Sequence, residues 1–320
     1  MEAEITKAVE TLRNGGVVGM PTETVYGLAA DIKNPQGIEN IFKTKQRPFF
    51  DPLIVHISHL IQLKSVVLDF PDLAQFLAEK FWPGPLTMIL PKSKYVNPKI
   101  TSGLETVAVR FPKHPIALKL INKLGNPVAA PSANLFGKTS PTTAEHVRKE
   151  FGDDVMVLDG GACEIGLEST VIGFDSNYLL IKIYRPGSIT KEMLREALQG
   201  YIKEISIFEE QSPVAPGHLK HHYMPSIPLV IIGDHELEDP KLQDEIKIKL
   251  NIQTIKPIEL VLHNDPAIAA RELYHNLRRC GESGANLIFV REKKDYQDNL
   301  WAAIWDRLRK AASLKIDYQI

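Results

Sequence analysis

KQRPFFDPLIVH, Lys45 to His56, changes character halfway along. Leu53-Ile54-Val55 reads as a short buried strand, because β-branched apolar residues suit a covered sheet. The residues before it are not strand interior. Pro48 and Pro52 remove backbone donors and fix φ, so Lys45 to Asp51 is expected to be a shaped loop. Lys45 and Arg47 held at the edge of a sheet make a receptor for anionic oxygens. A lone Lys-x-Arg is more often an ordinary solvated turn, so its meaning depends on the rest of the chain.

Upstream, Ile5, Val9 and Leu12 recur at helical spacing, and Gly15-Gly16 stops that helix. Val17 to Met20 then reads as a strand running into PTETVYGLAAD, Pro21 to Asp31. If that segment stays extended, Thr22, Thr24 and Tyr26 point to one face. They then form either a hydrogen-bonding wall for a polar ligand or a Thr-rich strand face in water. Downstream, helices are expected over Pro35 to Phe42 and Leu73 to Phe81, and Pro83-Gly84-Pro85 turns the chain into a strand from Thr87 to Leu90. In the next strand Val107, Val109 and Phe111 face one way while Ala108 and Arg110 face the other. Pro127 to Pro141 is a strand that breaks at Pro131 into a loop carrying Ser132 and Asn134, residues that cap backbone or bind ligand. A helix over Thr143 to Glu150 and a strand ended by Gly160-Gly161 follow. Ser169 and Thr170 enter a further strand, Arg185 lies just past another, and Thr190 caps the helix after it.

Residues 1–204 thus form one expected domain, and 205–228 read as a linker with four prolines. The linker carries His218, His221 and His222. No cysteine or well-spaced acid completes a metal set there, and Lys220 opposes a cation, so composition favours a solvated linker. From Leu229 the pattern alternates strand and helix three times. That marks 229–320 as a small parallel sheet with covering helices.

Composition bounds the function. The chain has 320 residues, 44% hydrophobic and 24% charged, which suits about two globular domains. Lys+Arg 38 against Asp+Glu 39 leaves a net charge of -1, which excludes a global polycation but not a local basic surface. Cys163 and Cys280 are far apart and point to a reducing cytosolic setting. No apolar run approaches the ~20 residues of a membrane helix, and no apolar signal region opens the chain, so a cytoplasmic protein is expected. GxxxxGK[ST], GxGxxG, HExxH and GxSxG are all missing from the sequence.

PTETVYGLAAD, KQRPFFDPLIVH, FWPGPLT, VAVRFP, APSANLFGKTSPTTAEHV, LDGG…GLESTV, YRPGSIT and APGHLKHHYMP, in this order between Pro21 and Pro225, resemble the threonylcarbamoyl-AMP synthase family. These are the YrdC-like proteins of transfer-RNA modification, here in the longer form. The resemblance implies an α/β protein. Its N-terminal domain would be an open, twisted mixed sheet with helices, its C-terminal domain Rossmann-like, and its linker folded over the active site as a lid. It implies that L-threonine, bicarbonate or CO2, and ATP give L-threonylcarbamoyladenylate and pyrophosphate. A partner transferase then modifies tRNAs that read ANN codons. Lys45, Arg47 and Arg185 would carry catalysis, with Mg2+ bridging the phosphates and no protein metal ligands. Thr24, His56, Arg110, Ala130 and Ser169 would hold threonine. Arg47, Asp51, Thr106, Ser132, Asn134, Ser140, Arg185 and His222 would contact ATP, Asp51 standing where one form of the motif has Asn. His218 and His221 receive no role, and no general base is evident. The competing reading is an RNA-binding module of the same fold that grips transfer or double-stranded RNA. The net charge and the lack of aromatic–basic interleaving weaken it. A carbamoyl-adenylate enzyme of the maturation type would need zinc-finger and acylphosphatase segments that this sequence lacks.

Overall fold

The computed structural model describes residues 1–201, 205–209, 222–233, 237–292 and 299–316. The chain divides into two units. One consists of Met1–Phe136 and Ser140–His218, the other of Gly137–Thr139 and Leu219–Ile320.

The strands of the first unit are β1 (Val18–Met20), β2 (Gly27–Asp31), β3 (Ile54–His56), β4 (Leu86–Pro91), β5 (Thr106–Arg110), β6 (Val128–Ala129), β7 (Met156–Val157), β8 (Thr170–Phe174), β9 (Leu180–Arg185) and β10 (Ser206–Glu209). They form one sheet in the order β10-β9-β8-β4-β5-β3-β6-β2-β1-β7. The sheet is mixed: β3 pairs parallel with β5 and β4 with β8, whereas β4 pairs antiparallel with β5 and β3 with β6. Its helices are α1 (Glu2–Arg13), α2 (Pro35–Lys45), α3 (Leu63–Val66), α4 (Asp72–Phe81), α5 (Pro115–Leu124), α6 (Ala144–Phe151) and α7 (Lys191–Ala197).

Alternation along the strands sorts the two faces. Val55, Met88, Val107, Val109 and Ile172 join one core with Ile38 and Ile41 of α2 and Leu73 and Leu77 of α4. Val18, Met20 and Val128 join a second core with α1 and α5. The expected orientation of Val107 and Val109 against Arg110 follows from this division.

Several local expectations are corrected. Helix α2 runs on to Lys45, so the loop starts at Gln46, whose left-handed φ of 51° ends the helix just before the buried Arg47. Helix α5 has no counterpart in the sequence reading, although His114 caps it and Pro115 occupies its first turn. Strand β10 lies where a linker was expected and pairs with β9. Thr190 does cap α7, accepting from the Met193 N–H at 3.2 Å.

In the second unit the strands are β11 (Leu229–Ile232), β12 (Pro257–Glu259), β13 (Leu287–Arg291) and β14 (Leu314–Ile316), and the helices are α8 (Pro240–Leu250), α9 (Pro266–Glu282) and α10 (Leu300–Ala311). All pairings are parallel, in the order β12-β13-β11-β14. The strand–helix alternation is as read from sequence, with β14 added after the third helix. Among the described residues no helix is long and apolar enough to cross a membrane.

Candidate active site

Strand register builds the site. His56 on β3 pairs with Arg110 on β5, Arg110 with Thr87 on β4, Thr87 with Val171 on β8, and Val171 with Arg185 on β9. Directly paired residues project to the same face, so these five form a row across the sheet. Val55, Val109 and Met88 alternate with them and point into the apolar core. The row is therefore the polar side of strands whose other side is packed.

Each charged member has internal partners. Arg185 donates from Nε to the Ser169 carbonyl and from Nη2 to Ser169 Oγ, both at 3.1 Å. Ser169 Oγ also hydrogen-bonds Thr87 Oγ1 at 2.7 Å. Arg110 donates from Nη1 to Thr24 Oγ1 at 2.8 Å and from Nε to the Gly84 carbonyl at 3.3 Å. Its Nη2 lies 2.8 Å from Glu23 Oε1, and both side chains are about 4% exposed. Their contact is coulombic: neither Nη2 nor the carboxylate oxygens have an aligned hydrogen bond. His56 is 3% exposed, with Nδ1 at 3.3 Å from the Ile54 carbonyl. Burial, reinforced by the Arg110 charge, pushes its pKa down to about 3, so the imidazole is neutral.

The hydroxyls of PTETVYG do not form one wall. The chain bends between β1 and β2 instead of staying extended. Thr22 Oγ1 donates to the Val25 carbonyl at 2.6 Å, and Thr24 faces Arg110. The Tyr26 hydroxyl donates to the Gly161 carbonyl at 2.8 Å and accepts from the Gly160 N–H at 3.0 Å. Burial raises Tyr26 to about 12, which keeps it a neutral latch between two loops. A solvated Thr-rich face is equally wrong, since all three residues are buried.

Lys45 is also tied differently from expectation. Its Nζ donates to the Ser132 carbonyl at 2.5 Å and the Asn134 carbonyl at 2.6 Å, bracing the 132–134 loop on the end of α2. Burial, and then the neighbouring Arg47, hold its pKa well below the usual lysine range. Arg47 closes its own loop, donating to the Asp51 carbonyl at 3.1 Å and the Pro52 carbonyl at 2.9 Å, with Asp51 Oδ2 at 2.8 Å. Burial raises the Asp51 pKa, while the charges of Arg47, Lys45 and Arg185 oppose the shift. Ser140 Oγ donates to Glu168 Oε1 at 2.6 Å. The Ala130 N–H donates to the Ile54 carbonyl at 3.0 Å, which fixes the end of β6 beside β3.

Thr106 does not join this group. It is exposed at the opposite end of β5 from Arg110, about 13 Å along the strand. His222 belongs to the second unit, where its N–H donates to the Lys310 carbonyl at 3.1 Å and its ring meets Tyr223 edge-on. His218 and His221, with the middle of the expected lid, lie outside the described residues. Sequence reasoning missed Glu23, Thr87 and Glu168. Glu23 had a signal, as the one charge inside the hydroxyl-rich PTETVYG. The partners of Thr87 and Glu168 arise only through the sheet.

Comparisons with known proteins agree along the chain. The Telomere recombination family model, which covers Sua5, YciO and YrdC, matches residues 10–187. The model of the threonylcarbamoyl-AMP synthase C-terminal domain matches residues 189–313. A threonylcarbamoyl-AMP synthase of Bacillus subtilis is 45% identical over 234 residues, covering 72% of this chain and 67% of its own. One from Pyrococcus abyssi is 36% identical over 329 residues, covering 98% and 96%. The crystal structure of P. abyssi Sua5 complexed with L-threonine matches with a TM-score of 0.84 at 36% identity, over 99% of this chain and 97% of that one.

Proposed function

The chain belongs to the Sua5–YciO–YrdC family, and from that premise we propose that it is a threonylcarbamoyl-AMP synthase. It joins L-threonine, bicarbonate or CO2, and ATP into L-threonylcarbamoyladenylate with release of pyrophosphate, and of water when the carbon enters as bicarbonate. This is a nucleotidyl transfer. A transferase then passes the threonylcarbamoyl group to tRNAs that read ANN codons. Mg2+ would enter with ATP as part of the substrate and offset phosphate charge there.

The observation that carries the reading is the buried row from His56 through Arg110 and Thr87 to Arg185. It offers a guanidinium for a carboxylate at one end and a second guanidinium, close to Asp51 and Ser169, for phosphates at the other. Threonine is assigned to Thr24, His56, Arg110, Ala130 and Ser169. ATP is assigned to Arg47, Asp51, Ser132, Asn134, Ser140 and Arg185, while Thr106 and His222 rest on resemblance alone.

The reaction asks for positioning more than for proton chemistry. A carbamate oxygen attacks the α-phosphorus and pyrophosphate departs, so negative charge grows on phosphate oxygens. Arg47 and Arg185 are cations already held by backbone carbonyls, and Lys45 behind them braces the 132–134 loop. The two guanidiniums need little rearrangement when that charge develops. Neutral His56 serves threonine as a hydrogen-bond partner and adds no charge beside Arg110. Holding reactants in line is worth up to ~7–11 kcal/mol in favourable cases.

The test is direct. Protein, MgATP, bicarbonate and labelled threonine should yield a labelled adenylate that requires all three substrates. Product formed without bicarbonate, or no product at all, would overturn the reading.

A further inference from the structure

We propose that Glu23 receives the α-ammonium of the amino-acid substrate while Arg110 receives its carboxylate, an assignment that rests on the synthase reading above. Glu23 is 3% exposed, and neither of its oxygens has a hydrogen-bond donor aligned on it. A buried carboxylate without donors is costly and rare, which points to a donor that arrives with a ligand.

The neighbours cannot supply one. Thr22 Oγ1 donates to the Val25 carbonyl, and Thr24, which accepts from Arg110 Nη1, spends its own hydroxyl hydrogen on Thr22 Oγ1 at 2.9 Å. The Cys163 thiol, raised to about 12 mainly by burial, remains a weak donor. Arg110 Nη2 sits 2.8 Å away but out of line, and it too lacks an aligned acceptor. Arg110 Nη2 and the Glu23 carboxylate thus lie side by side as a buried ion pair, with no aligned hydrogen bond on either. The zwitterionic end of an α-amino acid presents the complementary pair on a single carbon. Its carboxylate accepts from Nη2 and its ammonium donates to Glu23. Thr24 and His56 stand at this end of the row, and Ser169, held between Thr87 and Arg185, approaches from the other side to complete the surroundings for the hydroxyethyl group.

The experiment is calorimetric titration of the full chain with L-threonine and with 3-hydroxybutyrate, which keeps the carboxylate and hydroxyl but lacks the amine. Wild type should bind threonine about tenfold to a hundredfold more tightly than 3-hydroxybutyrate, the range of a charge-assisted hydrogen bond. Glu23→Gln should lose about tenfold or more for threonine and leave 3-hydroxybutyrate within about twofold. Equal weakening of both ligands would mean that Glu23 only braces Arg110, and would overturn the assignment. Equal binding of both by the wild type would overturn it without any variant. A wild type that binds no threonine would sink the synthase reading, and this assignment with it.

Discussion

Arg47 and Asp51 show how one side chain serves fold and chemistry together. Both are buried, and they meet at 2.8 Å. Arg47→Ala strands the Asp51 carboxylate, and we expect a stability loss of about 3–5 kcal/mol together with loss of synthesis. Arg47→Met combined with Asp51→Asn removes both charges at once. Urea unfolding should then recover most of the stability, while adenylate formation stays absent. Recovery of activity in the double variant would remove Arg47 from the phosphate site. His56 gives a pH prediction. The unfolded chain takes up its proton near 6.5, whereas the folded chain resists to about 3. Between those values the unfolded state binds more protons, so this contribution is complete above pH 6.5 and is lost as pH falls towards 3. The slope is about 1.4 kcal/mol per pH unit. The stability advantage of wild type over His56→Gln should shrink by about 1 kcal/mol from pH 6.5 to 5.5. An advantage that does not change with pH would mean that His56 titrates normally.

At the scale of elements, the site depends on two chain segments passing unusually close. A Cβ on Gly187 would lie 2.5 Å from the Thr170 nitrogen and 2.7 Å from the Glu168 carbonyl. Pro186-Gly187 thus lets the end of β9 press against the entrance of β8, where Ser169 meets Arg185. Gly187→Ala must push that entrance away. Overpacking of this kind costs about 1–3 kcal/mol, and the shift of Ser169 should lower kcat/KM for threonine by more than tenfold. Thermal melting and steady-state kinetics read the two effects separately. A variant with unaltered kinetics would show that Ser169 does not position threonine. The PTETVYG bend has a similar dependence on a remote loop, because Tyr26 is latched to Gly160 and Gly161.

The whole molecule is two units with separate cores. In the second, Arg307 is fully buried, paired with Asp306 at 2.7 Å and lying 5.3 Å over the Tyr223 ring. Tyr223 stacks on Tyr274, and its carbonyl accepts from Thr139 Oγ1 at 3.2 Å. Arg307→Ala leaves a cavity and removes the cation from that ring, at a cost of about 3 kcal/mol or more. With separate cores, hydrogen exchange should lose protection across β11 to β14 and α10 while β3, β4 and β5 keep theirs. Equal loss in both sheets would show that the units unfold as one.

What the sequence determined by itself was local. Strand alternation placed Val107 and Val109 opposite Arg110, prolines set the loop after Gln46, Thr190 capped α7, and the strand–helix rhythm after Leu229 announced a parallel sheet. The motif strings carried the family. Each of these signals lies within a few residues, where periodicity and capping act. The tertiary structure alone decided who partners whom. Lys45 braces carbonyls 87 and 89 residues away, Ser140 finds Glu168, and Arg110 meets Glu23. The row from His56 to Arg185 follows the spatial order β3-β5-β4-β8-β9, which chain order does not reveal. Residue type says that a cation or carboxylate must be satisfied once buried, but which one satisfies it depends on the sheet order that brings distant strands side by side.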